Sequence, residues 1–225
     1  MAERAEDAVP GLRERKKQRT RATLVDAAIE LCLRNGYDTT TVEQIAAAAD
    51  VSPRTFSRYF ATKDAVFLTL IEDYSHEVAI ALEAVPWNVG PLEALRQANV
   101  AILTRVSSGQ VGRLTTERVI LMLRVINASD ALRRAAFEYR HEASEAILAK
   151  RMGVEVDDRR RRLVGAVFSS TIVTACGDLI ADTDTIQLGP TVMVDRLNEA
   201  FAHVALFAAD LPAAVAVADY EPVYV

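Results

Sequence analysis

The sequence predicts an all-α protein of about nine helices, and three observations carry that expectation. Apolar residues along the 225-residue chain recur at spacings of three and four rather than two, Gly and Pro fall mainly between the segments so defined, and no strand set is visible. A composition of 51% hydrophobic and 25% charged residues fits a soluble globular protein with one sizeable core, or a small domain joined to a larger one. Cys32 and Cys176 each sit inside an apolar helical pattern and read as buried thiols in a reducing compartment. The N-terminus lacks an apolar h-region, and Asp210 and Pro212 interrupt the most apolar C-terminal stretch, so a cytoplasmic protein without a membrane span is expected.

Residues 1–16 read as a flexible basic arm, 17–62 as a small helical domain, 63–209 as a larger one, and 210–225 as a tail. The first helix is expected from about 17 to 34, with Leu24, Ala27, Ala28, Leu31 and Cys32 on one stripe and Asn35-Gly36 as its stop. Two short helices follow. Thr40 is positioned to cap the first of these, from 42 to 49, with Glu43 completing a Thr-x-x-Glu box and Ile45, Ala46 and Ala49 facing inward. After Asp50-Val51, Ser52 is a good N-cap and Pro53 suits the first helical position, where its missing N–H is not needed. A long helix then runs from about 63 to 85, a break covers 86 to 91, and further helices are expected near 92–107, 115–127, 130–152, 157–181 and 191–209. The tail lacks a helical stripe and reads either as disordered or as an extended arm.

Charge is distributed unevenly. From residue 11 to 63 there are 10 basic and 6 acidic residues, a balance of +4, whereas 64 to 225 carries 15 against 22, a balance of -7. The first segment can meet phosphate and the second would repel it. In the helix opened by Pro53, Phe56 and Phe60 are four apart and share a buried face, leaving Arg54, Thr55, Ser57 and Arg58 outward with Tyr59 beside the seam. Seven residues span about 10 Å, short enough for a major groove about 12 Å wide. Arg can donate twice to a guanine, Thr offers a hydroxyl and a methyl, and Tyr can reach a phosphate. Two adjacent capped helices joined by a short turn, with this chemistry on the second, read as a helix-turn-helix on double-stranded DNA. Lys63 opens the next helix as a phosphate ligand, and Arg19 and Arg21 belong to a basic stretch suited to backbone or minor-groove contact. The run Arg159-Arg160-Arg161-Arg162 follows Asp157-Asp158 and reads as a solvated, salt-bridged first turn rather than a second nucleic-acid patch.

These residues resemble the TetR family of one-component transcriptional regulators. The resemblance rests on Thr40-Thr41-Val42, Ile45-Ala46, Ala49, Val51-Ser52, Thr55-Phe56, Tyr59-Phe60 and Lys63, preceded by Asn35-Gly36-Tyr37, and covers about residues 17 to 70. It implies a three-helix DNA-binding domain, a larger helical domain that binds a small effector, and a homodimer formed by the last two long helices. It also implies phosphate contacts from Thr41, Tyr59 and Lys63 and groove-facing positions at Arg54, Thr55 and Arg58. Ser57 departs from the Tyr common there, which removes a bulky backbone contact. The stretch from Pro53 to Phe60 also resembles a subgroup associated with acyl-CoA-like ligands. The function implied is a repressor released from a palindromic operator by a small hydrophobic effector. Sequence does not separate this repressor from an activator, or from a DNA-binding module without a ligand, on the same fold.

Trp87, Met122, Phe137, Tyr139 and Phe168 are candidates to line an apolar cavity, with plain core as the competing reading. Phe201, Val204, Ala205, Phe207 and Ala208 give the last helix a broad apolar face that suits either a partner subunit or its own core, and His203 on that helix reads as structural. Two acidic-x-x-His spacings, Asp73 to His76 and Glu138 to His141, raise a ferritin-like metal enzyme as the rival class, but the extra inward Glu residues it requires are not evident. No catalytic motif and no cofactor-binding loop is recognisable, so neither an enzyme nor a cofactor or metal is expected.

Overall fold

The computed structural model describes residues 11–128, 130–177, 179 and 189–210. The expected tail lies outside the described residues from 211 onward, as does the arm before residue 11. Among the described residues there are ten helices and one isolated bridge, Val111 with Leu114. The chain divides into two compact units, the first ending at Phe67 and the second beginning at Leu68.

The first unit contains α1 (Leu12–Asn35), α2 (Val42–Ala48), α3 (Pro53–Tyr59) and the opening of α4 (Lys63–Ala84). Helix α1 begins five residues earlier than expected, so the basic stretch at 12–16 is helical rather than a flexible arm. It buries Leu24, Val25, Ala27, Ala28, Ile29 and Cys32 and stops at Gly36, whose φ of 86° favours glycine and whose N–H donates to the Cys32 carbonyl. Capping of α2 differs from the expectation by one residue. Thr41, not Thr40, is the N-cap: its hydroxyl accepts from Gln44 N–H at 3.3 Å, while Gln44 Oε1 accepts from Thr41 N–H at 2.9 Å. Thr40 is instead buried and donates to the Gly36 carbonyl at 2.8 Å, which holds the turn leaving α1.

The second unit holds the rest of α4 with α5 (Pro91–Ser108), α6 (Thr116–Ala128), α7 (Asp130–Glu138), α8 (Glu142–Met152), α9 (Arg159–Cys176) and α10 (Pro190–Ala209). Helix α10 packs on α5 and α9, and α7 packs on α6. Their shared core includes Leu82, Ile102, Leu103, Val119, Leu123 and Leu197. The count exceeds nine because the segment expected as one helix over 130–152 is two. The chain leaves helical geometry at 139–141, and His141 becomes the N-cap of α8, its Nδ1 accepting from Ser144 N–H at 3.4 Å. Helix α9 stops at Cys176, short of the expected 181.

Arg151 on α8 is 7% exposed and donates to the carbonyls of Leu82 at 2.7 Å and Pro86 at 2.9 Å, and also to that of Val85. One guanidinium therefore caps the end of α4: it is the donor to the Val85 carbonyl and a second donor to those of Leu82 and Pro86, which also accept from Val85 N–H at 3.3 Å and Val89 N–H at 3.1 Å. The same group stacks on Trp87, 4.5 Å from its ring centroid, as does the Lys150 ammonium.

Candidate nucleic-acid interface and ligand cavity

The first site is built on α3. Ser52 caps it, its hydroxyl accepting from Thr55 N–H at 3.1 Å, and Pro53 occupies the first turn. Phe56 and Phe60 are buried with ring centroids 5.8 Å apart, which turns Arg54, Ser57 and Arg58 to solvent. Asp50, at φ 52°, makes the tight turn before it.

Several expected DNA-contact residues already have intramolecular partners. Arg21 stacks its guanidinium on Phe60 at 5.2 Å, and Arg58 lies 5.3 Å from the Tyr59 ring. The Tyr59 phenol has a lowered pKa, chiefly through its hydrogen bond with Thr20 and then through Arg58. Thr55 Oγ1 lies 3.0 Å from Ser52 Oγ, Ser57 donates back to the Pro53 carbonyl at 3.1 Å, and the Thr41 hydroxyl is engaged in its cap. Lys63 is half-buried: its ammonium donates to the Tyr37 carbonyl at 2.7 Å and sits 3.9 Å from the Tyr37 ring centroid. Tyr37 also donates to the Asp64 carboxylate, and burial followed by Asp64 raises the pKa of its phenol. Lys63 and Tyr37 thus fasten the loop after α1 to the start of α4. Arg19 and Arg54 are exposed and extend from α1 and α3 without a side-chain partner among the described residues.

The second site lies wholly in the second unit. A partly open cavity of about 240 Å³ is lined by α4 to α10. Four of the five expected lining residues, Met122, Phe137, Tyr139 and Phe168, are on its wall. Trp87 is not: Lys150 and Arg151 flank its ring, so its role is to help close the end of α4. Polar groups reach the cavity from two directions. On one side, Tyr74 donates to Asn99 Oδ1 at 3.0 Å while Asn99 Nδ2 donates to the Leu95 carbonyl at 2.8 Å. On the other, Arg161 is 4% exposed and pairs with Glu145 at 2.9 Å, with Arg140 3.8 Å from the same carboxylate oxygen.

The Arg159–Arg162 run is therefore divided. Arg160 pairs with Asp158 at 2.8 Å, as a solvated first turn would, and holds that carboxyl down at about 2. Arg161 instead points inward. Its position was legible in principle, because 161, 165, 168 and 172 share one helical face with Phe168. The two acidic-x-x-His pairs do not assemble a metal site. Asp73 lies 3.8 Å from both Arg113 and Arg118, and no cluster of three or more His, Cys, Asp or Glu able to hold a metal occurs among the described residues. His76 and His141 do approach each other, with ring centroids 6.3 Å apart, and His141 has a lowered pKa through burial first and His76 second. His203 is exposed on α10 rather than structural, stacked on Phe207 with centroids 6.2 Å apart. Both cysteines are buried thiols outside any disulfide, and burial raises the Cys32 thiol.

Residues 24–70 match the family of bacterial regulatory proteins described as the tetR family. The HTH-type transcriptional regulator TcmR of Streptomyces glaucescens is 41% identical over 182 residues, which cover 78% of this chain and 80% of TcmR. The chain belongs to the TetR family of transcriptional regulators. The mycofactocin biosynthesis transcriptional regulator MftR of Mycobacterium tuberculosis is 27% identical over 193 residues, covering 82% of this chain and 96% of that protein. Among solved structures, Thermus thermophilus FadR, a TetR-family repressor in complex with lauroyl-CoA, superposes with a TM-score of 0.51 at 22% identity, over 82% of this chain and 93% of that one. That likeness concerns the fold. No helix of the described residues is long and apolar enough to cross a membrane.

Proposed function

We propose that this TetR-family regulator is a cytoplasmic homodimeric repressor that binds a palindromic operator through α3 and is released when a small molecule with an apolar body occupies the cavity. The observation that carries the reading is the division of α3 into a buried face, Phe56 with Phe60, and an exposed one bearing Arg54 and Arg58. Buried phenylalanines fix the helix, so the arginines are displayed on a rigid element, which base recognition requires. Arg54 and Arg58 face base edges and Arg19 the phosphates; Thr41, Thr55, Ser57 and Tyr59 lie beside them. Lys63 and Arg21 support this surface from behind.

Release requires that the ligand bind one arrangement of the DNA-binding units better than the other, because equal affinity shifts nothing. Helix α4 belongs to both units and carries Tyr74 on the cavity wall, so it offers a continuous element through which occupation is felt. An acyl-CoA-like ligand would place only its acyl portion inside about 240 Å³. For the dimer, Leu163 on α9 and Leu206 and Phe207 on α10 are 65%, 63% and 67% exposed, an apolar surface that a single chain leaves uncovered.

The test is footprinting on DNA upstream of the protein's own gene, with Arg54→Ala and Arg19→Ala variants. Arg54→Ala is expected to cost about 1–3 kcal/mol and relax base preference at one position, whereas Arg19→Ala should weaken all sequences alike and reduce the salt slope by about 1. Protection indifferent to both changes would overturn the docking model.

A further inference from the structure

The Arg140 and Arg161 end of the cavity contains more positive charge than its own residues neutralise. Three guanidiniums line that region, from Arg133, Arg140 and Arg161, with Glu145 as the carboxylate among the lining residues. Arg133 is satisfied elsewhere, by Asp130 at 3.1 Å and the Asn127 carbonyl at 3.2 Å. Arg140 and Arg161 are left to share a single oxygen of Glu145. Arg161 is 4% exposed; its Nε donates to the Val156 carbonyl and its Nη1 to Glu145, while its Nη2, without a hydrogen bond among the described residues, is not sealed off as a buried unsatisfied donor. Gly165 contributes to the geometry, since a Cβ there would lie 3.5 Å from Arg140 Nη1, so the guanidinium rests directly against α9.

A largely buried guanidinium with one accessible donor edge, next to a second cation that shares its counter-ion, presents positive charge and an open hydrogen-bond donor to the cavity. Apart from the Tyr74–Asn99 pair and a few further polar side chains, the rest of the chamber is mostly apolar, walled by Leu103, Met122, Phe168, Met193 and Leu197. We infer that the cavity takes an apolar organic acid, whose carboxylate docks between Arg140 and Arg161 and whose body fills the space toward Met193 and Leu197. The inference rests on the reading of this cavity as the effector site, and it narrows that effector from a hydrophobic molecule to an anionic one. A space of about 240 Å³ compares with the roughly 150 Å³ that admits benzene, so the body is compact, on the order of ten to fifteen heavy atoms.

Matched acid and amide pairs test the charge alone: decanoate against decanamide, and 2-naphthoate against 2-naphthamide, titrated calorimetrically into the full chain at pH 7.5. The acid of at least one pair is expected to bind about tenfold tighter than its amide, as charge-assisted hydrogen bonds exceed neutral ones. Glu145→Gln removes the competing carboxylate while keeping its shape, so acid binding should tighten about tenfold with amide binding unchanged. Arg140→Gln should weaken the acid about tenfold, and because that side chain is 51% exposed the fold is retained. Should Glu145→Gln fail to fold, Arg140→Gln decides. Equal affinity for acid and amide in both pairs would overturn the inference, as would acid binding indifferent to both substitutions. An acid that binds as described but leaves operator affinity unchanged would overturn the effector reading while this inference stands.

Discussion

Replacing Arg151 with Met keeps the apolar stem of a buried side chain and deletes the group that closes the end of α4. The Val85 carbonyl loses its donor, those of Leu82 and Pro86 keep only the backbone N–H of Val85 and Val89, and the Trp87 ring loses one of its two cations. Hydrogen bonds from a charged donor are worth about 1.5–3 kcal/mol each. Against their sum stands the cost of burying the guanidinium, whose Nε has no partner and whose pKa burial lowers. The net loss expected is about 3 kcal/mol, and for a chain of this length that lowers Tm by about 6–12 °C. Arg151→Lys retains the charge but not the forked donor and should lose about half as much. Trp87 is the sole tryptophan, so its emission reports this locus while far-UV circular dichroism reports the whole, both at one fixed protein concentration. A Met variant that melts within a degree of the parent with unchanged emission would refute the claim that this arginine holds the end of α4.

Ser52→Ala removes the cap of α3 and should cost about 1 kcal/mol in urea unfolding, with operator affinity falling as well because the recognition helix frays. Lowering the pH should destabilise the second unit through His141. Its pKa is depressed in the folded state, so stability is fully present above the ordinary imidazole value of about 6.5 and is lost as pH falls through the folded value. His141→Asn, which can still accept from Ser144 N–H, should flatten the Tm profile between pH 7.5 and 5; an unchanged slope would remove His141 as the cause. Phe207→Glu, on a side chain 67% exposed, should leave the helix content intact yet halve the mass in sedimentation equilibrium if α10 joins two subunits.

The first unit was the more legible in sequence because its signals act within a few residues. Ser52 with Pro53, Gly36 after α1, and Phe56 four before Phe60 each determine local geometry without help from afar. The choice between Thr40 and Thr41 as cap was not legible, since both side chains offer a hydroxyl and only the burial of Thr40 against Gly36 decides. In the second unit the determinants are distant in sequence. The break at 139–141 contains neither Gly nor Pro, and an imidazole cap produces it. Trp87 looks like any candidate cavity aromatic until Lys150 and Arg151, more than 60 residues later, come to lie against its ring. Arg161 was hidden by its neighbours, because three of the four arginines in the run are solvent-facing and the helical phase that singles it out is visible only relative to Phe168.

The division of the 130–152 segment has a kinetic consequence. Helix α7 has nine residues, and Leu132 is its one buried side chain, so it lacks both the length to stand alone and the anchoring of the helices around it. Such a segment opens at lower free-energy cost than the surrounding bundle. Since Arg133, Ala136 and Phe137 of α7 are part of the wall of this partly open cavity, lifting of that short helix should widen its mouth and speed entry and exit, with the rest of the second unit still folded. Residence time would then be governed by the grip of Leu132, a property separate from how tightly the arginines hold what is inside.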